Sequence, residues 1–288
     1  MDLFRKILVP IELSDLDLRI MQFVAGLGRY GIGEALLANV TRSLGVEAPV
    51  AVKQERDRGR LISSLAVILT DAGVNVTAVP LAGAPTEEIL RAAHDEDVSL
   101  IISGTRGKSA LSEFVVGSVS ETVGRKSKVP VLMVSYRMLA ELPSDAAAFE
   151  AGQRIFEHVV HPTDFSDVSE RMLDLVKSLD GDLVGEVVVA HVVDPKELHA
   201  EVQREAALRS DRRILAAMSE ELAERGIPSS TVLEVGPVIA ELLELAEKID
   251  ATCFIMGSHG RGVSEEIFVG SVSQNVIRMS GRPVFITH

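Results

Sequence analysis

The segments IISGTRGKSALSEFVVGSVSETV (residues 101–123) and FIMGSHGRGVSEEIFVGSVSQNV (residues 254–276) carry the same glycines at the same spacing. Gly104, Gly107 and Gly117 map onto Gly257, Gly260 and Gly270 with one constant offset, and Ser118 maps onto Ser271. An offset of about 150 residues is far longer than the roughly 20 to 50 of solenoid and propeller repeats, so the duplicated unit is a whole domain. A chain of 288 residues suits two domains, since about 100 to 200 residues make one. KILVPIELSD (6–15) against HVVHPTDFSD (158–167), and VPVLMV (129–134) against RPVFIT (282–287), hold the alignment at both ends. Domains are therefore expected at 1–142 and 153–288, with the small, polar stretch 143–152 as a linker.

Each copy alternates short β-branched runs with helical patterns. In the first, KILVPI reads as a strand, and Ile20, Phe23, Val24 and Leu27 then recur at helical spacing. Ser14 with Asp17 has the form of a capping box, which places the helix start directly after the strand. Further strands are expected at EALLANV, VNVTAVPL, SLIISG and PVLMVS, and in the second copy at EVVVAHVV, STVLEVG, ATCFIMG and RPVFITH. Such alternation implies an α/β fold: two tandem flavodoxin- or Rossmann-like domains, each a five-stranded parallel sheet with helices on both faces. A flavodoxin-like strand order, 2-1-3-4-5 or a relative of it, is expected.

In these sheets ligands bind beyond the carboxyl ends of the strands, where the strand order reverses. Gly104 and Gly257 close the fourth strand of each copy, and Gly117-Ser118 and Gly270-Ser271 open the next helix. A helix amino end offers unpaired N–H groups, and glycine lets phosphate oxygens approach the backbone, so the repeated loop reads as a phosphate cradle. It is not a P-loop, because Ile102 stands where that motif needs glycine, and Gly257, Gly260 and Gly262 do not give G-x-G-x-x-G.

Strand, G-x₂-G-x₉-G-[ST], helix resembles the nucleotide-binding signature of the universal stress proteins, and GTRGKSALSEFVVGS and GSHGRGVSEEIFVGS both meet it in full. The resemblance runs from ILVPIELS to PVFIT, which makes the chain similar to a tandem universal stress protein. It implies an adenine-nucleotide site, with ATP and magnesium as the ligand. The family's first strand ends in V-P-x-D-x-S, whose aspartate approaches the nucleoside; Asp164 matches it in the second copy, while the first carries Glu12. The resemblance also implies that backbone at Val40 and Val192 meets the adenine, and that final strands associate. That would make the two copies a pseudo-dimer within the chain, or pair two chains as a homodimer.

Arg106 and Arg261 lie inside the two repeated loops, where they could meet phosphate or stay solvated. His161 precedes Asp164 by three residues, and His191 stands where the first copy has Asn39. Neither recurs with partners at metal-ligand spacing, so no metal site and no catalytic residue is expected. Ser14 and Ser166 read as helix caps rather than nucleophiles. With 42 acidic against 29 basic residues the net charge is −13, which disfavours nucleic acid as a partner. No secretory signal, no membrane-spanning run and a single cysteine, Cys253, point to the cytoplasm. An ATP-binding stress-response regulator is the expected function. The alternatives are a slow ATPase or nucleotidyl-transfer enzyme, and an interaction scaffold with one or both sites empty.

Overall fold

The structure is a computed structural model that describes residues 2–14, 16–41, 48–105, 117–197, 201–259 and 270–287, apart from the side chains of 48–54, 197 and 201–203. It divides into two compact units, residues 2–154 and 155–288.

In the first unit β1 (Lys6–Pro10), β2 (Glu34–Thr41), β3 (Asn75–Ala82), β4 (Leu100–Gly104) and β5 (Val131–Val134) alternate with α1 (Asp17–Gly26), α2 (Ala48–Asp71), α3 (Pro85–Asp95) and α4 (Ser118–Lys126). All four strand pairings are parallel, in the order β3-β2-β1-β4-β5. Strands β4 and β5 are buried along their whole length, as expected of strands covered on both faces. Ile20, Phe23, Val24 and Leu27 all turn into the core, as their spacing predicts. Right-handed crossovers put α1 and α2 on one face and α3 and α4 on the other, and within each pair the helices touch.

The second unit repeats this with β6 (His158–Pro162), α7 (Asp167–Lys177), β7 (Glu186–Val193), α8 (Glu201–Ala223), β8 (Ser229–Val235), α9 (Val238–Lys248), β9 (Cys253–Gly257), α10 (Ser271–Met279) and β10 (Val284–Thr287). Its pairings run β8-β7-β6-β9-β10, again parallel throughout. Phe156 stacks on Phe285 in its core with ring centroids 5.4 Å apart.

The 2-1-3-4-5 order is not the one that forms. Each unit steps outward from its first strand through the second to the third, and then crosses back to lay the fourth beside the first, the 3-2-1-4-5 arrangement of a Rossmann sheet without its sixth strand. Apolar patterning shows that strands are buried on both faces but not which neighbour each one takes. The reversal therefore falls between β1 and β4, and between β6 and β9.

The stretch expected as a linker carries α6 (Asp145–Gln153), and α5 (Tyr136–Glu141) precedes it. Both belong to the first unit. Ser144 caps α6 by accepting from the Ala147 N–H at 3.2 Å, and α6 packs along α1. Gly26 and Gly152 permit that contact: a Cβ on either would overlap a backbone carbonyl of the other helix, Phe149 or Phe23. Among the described residues, no helix is long and apolar enough to cross a membrane.

Candidate functional site

Strand register brings the expected residues to one edge. Pro10 pairs with Ala38 and Leu8 with Ile101, so Glu12, Val40 and Gly104 lie at the carboxyl ends of adjacent strands. Pro162 with Ala190 and Val160 with Phe254 do the same for Asp164, Val192 and Gly257.

After β1 the Ile11 N–H donates to the Ala38 carbonyl at 2.9 Å, and the Asn39 amide donates to the Ile11 carbonyl at 2.9 Å. After β6 the Thr163 N–H donates to Ala190 at 2.8 Å, and His191 Nδ1 lies 2.7 Å from the Thr163 carbonyl. Leu13 and Phe165 then turn the chain in the left-handed region, with φ of 57° and 60°. That turn lifts Glu12 and Asp164 to the edge of the sheet. Asp164 accepts from Ser166 twice, from the N–H at 3.2 Å and from Oγ at 2.6 Å, and Ser166 caps α7. Only half of the expected capping box forms in the first unit. There the Ser14 N–H donates to the Asp17 carboxylate at 2.6 Å, while no side chain caps α1.

The glycine loops begin and end alike. The Gly117 N–H donates to the Thr105 carbonyl at 2.7 Å, and the Gly270 N–H donates to Ser258 at 2.6 Å. Ser120 Oγ donates to the Gly104 carbonyl and Ser273 Oγ to the Gly257 carbonyl, the latter at 2.7 Å. These serines lace the strand end to the helix start. Their signal was present in the repeated G-S-V-S, whose second serine carries the bond. Among the described residues neither α4 nor α10 has a side-chain cap, and the first-turn N–H groups of a helix suit an anion. Arg106, Gly107, Gly260 and Arg261 lie outside the described residues.

Three further groups stand at or under these edges. In the second unit the Phe165 and His191 rings lie 4.3 Å apart, and His191 Nε2 is 3.9 Å from an Asp211 carboxylate oxygen. In the first, Tyr136 places its ring against Gly104; burial, then the carboxylates of Asp17 and Glu12, push its phenol pKa up. Tyr136 lies beyond the matched segments VPVLMV and RPVFIT, so the repeated pattern gave no sign of it. His161 is fully buried in β6, with Nδ1 2.8 Å from the Ile255 carbonyl. A carbonyl only accepts, so Nδ1 carries the proton; Nε2 has no partner among the described residues, and burial lowers the ring's pKa to about 4. Burial likewise raises the Cys253 thiol, which makes it inert. Among the described residues no cluster of His, Cys, Asp or Glu could hold a metal ion.

A family model described as the Universal stress protein family matches residues 3–135 and again residues 156–288. The chain is similar to Universal stress protein MJ0577 of Methanocaldococcus jannaschii, with 29% identity covering 46% of this chain and 94% of that one. Universal stress protein MJ0531 of the same organism is 30% identical, covering 47% of this chain and 84% of that protein. Among solved structures, a universal stress protein from Archaeoglobus fulgidus DSM 4304 covers 99% of this chain and 97% of its own, at 26% identity and a TM-score of 0.74. A putative universal stress protein from Pseudomonas aeruginosa UCBPP-PA14, 17% identical with a TM-score of 0.65 over 99% of this chain and 94% of that one, shares the fold.

Proposed function

The chain belongs to the universal stress protein family, and from that premise we propose that it is a regulatory protein that binds ATP with magnesium at the carboxyl edge of its sheet. The observation that carries this reading is a frame built twice. In each unit a strand-end glycine and an uncapped helix start are laced by a serine, beside a strand-end turn that bears a carboxylate.

In the second unit Asp164 takes a sugar hydroxyl or the base amino group, and the backbone at Val192 meets the adenine edge. Gly257, Gly260, Gly270 and Ser271 surround the phosphates, with Arg261 as their cation. Glu12, Val40, Gly104, Arg106, Gly107, Gly117 and Ser118 are the matching set in the first. With no acidic cluster among the described residues, magnesium arrives on the phosphates rather than in a protein cage. Nucleotide occupancy would then act as a signal, by changing what the protein binds.

Calorimetric titration of the full chain with ATP and magnesium tests this. Gly270→Val puts a branched side chain where phosphate oxygens must approach the backbone, and is expected to weaken binding at least tenfold, about 1.4 kcal/mol. Equal affinity, with an unchanged circular-dichroism spectrum and melt, would overturn the assignment.

A further inference from the structure

Among the described residues the two crevices differ in what stands against the strand-end glycine. At Gly257 a Cβ would meet a methyl of Val168 at 2.7 Å and the His259 carbonyl at 3.2 Å, which are the first turn of α7 and the loop itself. At Gly104 it would meet an aromatic ring, with Tyr136 Cζ at 2.6 Å and the phenol oxygen at 2.9 Å. Tyr136 is only 7% exposed, and beside it lie Asp17, itself 2% exposed, and Glu12. Glu12 is the residue expected to reach the nucleoside. The ring therefore stands at the carboxyl end of β4, where it feels the carboxylate that follows β1.

The ring is held there by design of the chain around it. Tyr136 opens α5, its own N–H donates to Thr105 Oγ1 at 3.3 Å, and Leu139 one turn on is fully buried. Arg19 of α1 donates to the carbonyls of Leu139, Ala140 and Leu142, and its Nε lies 3.7 Å from the Asp145 carboxylate. Farther along, Tyr30 Oη and Arg29 Nη1 donate to the Gln153 carbonyl at 2.7 and 3.0 Å. Helices α5 and α6 thus form a strap along α1 that carries the ring over Gly104.

We propose that Tyr136 plugs the first unit's crevice and confines nucleotide binding to the second, so that one chain takes one nucleotide. This rests on the nucleotide reading above. A sugar or phosphate approaching Gly104 from the Glu12 side needs the volume that the ring holds. Tyr136 is the residue that decides between the two repeated sites, and the strap makes that decision part of the fold.

Binding stoichiometry of ATP with magnesium on the full chain tests the plug. Wild type is expected to take one equivalent, abolished by Gly270→Val, whereas Tyr136→Ala takes two and its double variant with Gly270→Val keeps one. Two equivalents on wild type, or no gain in Tyr136→Ala, overturns the plug and leaves the nucleotide reading standing, whereas a single equivalent that survives Gly270→Val overturns the plug together with the assignment at Gly270. Absence of binding in every variant overturns both.

If Tyr136→Ala does not fold, Arg19→Ala keeps the ring but removes the strap's anchors, and a weaker second equivalent is expected. A fluorescence measurement needs no cavity variant at all. The chain has two tyrosines and no tryptophan, so Tyr30→Phe leaves Tyr136 as its emitter. Filling the second unit with ATP should leave that emission unchanged after correction for nucleotide absorbance. A quench that tracks the first equivalent would place nucleotide in the first crevice and overturn the proposal.

Discussion

The two units agree in backbone and disagree in what stands on it. Leu13 and Phe165 share the left-handed turn, as do Asp97 and Asp250 after α3 and α9, with φ of 50° and 49°. For residues other than glycine such turns cost on the order of 1 kcal/mol each, so their repetition shows a frame that the surrounding hydrogen bonds impose. Over that frame, His161 replaces Val9, Phe165 and His191 replace Leu13 and Asn39, and Tyr136 covers one glycine where Val168 approaches the other. Duplication therefore kept the backbone frame, and divergence acted on the side chains that stand on it.

The comparison is most sharply broken at the α1–α6 contact of the first unit. In Gly152→Val a Cβ would overlap the Phe23 carbonyl, and both partners are backbone, so α6 must move off α1 rather than adjust a rotamer. Overpacking of this kind costs about 1 to 3 kcal/mol and occasionally more, and a backbone overlap belongs at the upper end. Urea unfolding of the full chain should show that loss. Because the strap also carries Tyr136, nucleotide stoichiometry should rise with it. A stable Gly152→Val chain with unchanged stoichiometry would show that α6 does not hold the plug in place.

This contact also marks the limit of what was legible in the sequence. The parallel, doubly covered sheets followed from apolar strands alternating with helices, and the candidate site followed from glycines repeated in register. Each is a local pattern repeated at a fixed offset. Strand order was not legible, because β1 and β4 are alike as buried runs and their pairing is decided by crossovers. Residues 143–152 looked like a linker because small and polar residues also suit a close helix contact; what marks the helix is Gly152 opposite Gly26, a pairing distant in sequence. Tyr136 was not legible for another reason: its place against Gly104 is set by the turn after β5 and by Thr105, contacts between residues about 30 apart that leave no local pattern.

The next effect concerns acid. His161 is buried and neutral, with its pKa lowered from the ordinary 6.5 to about 4, while Val9 fills the matched place in the first unit. Below pH 6.5 the unfolded chain takes up a proton that the native ring refuses, so stability is full above that value and drains away as pH falls toward 4. From pH 8 to pH 5 this amounts to roughly 2 kcal/mol. His161→Val should flatten the pH dependence of the melting temperature by that share, with little change at pH 8. A wild-type and variant pair with parallel pH profiles would mean that the ring charges without leaving its site.

The smallest expected effect separates two explanations of why the first crevice is the poorer one. Asp164 is held by the Ser166 N–H and hydroxyl, whereas the Ser14 N–H turns to Asp17 and leaves Glu12, one methylene longer, in a different setting. Carboxylate length alone could account for weak binding in the first unit, and so could the ring of Tyr136. In a Gly270→Val background, where only the first unit is read, Glu12→Asp is expected to restore no ATP binding while Tyr136 stays in place. With Tyr136→Ala added, the same substitution should tighten binding about tenfold, near 1.4 kcal/mol, because the shorter side chain can then meet a ligand that has room to enter. The two substitutions would thus be strongly non-additive, as expected for side chains that contend for one volume. Binding restored by Glu12→Asp with the tyrosine present would assign the difference between the units to the carboxylate and leave the ring a bystander.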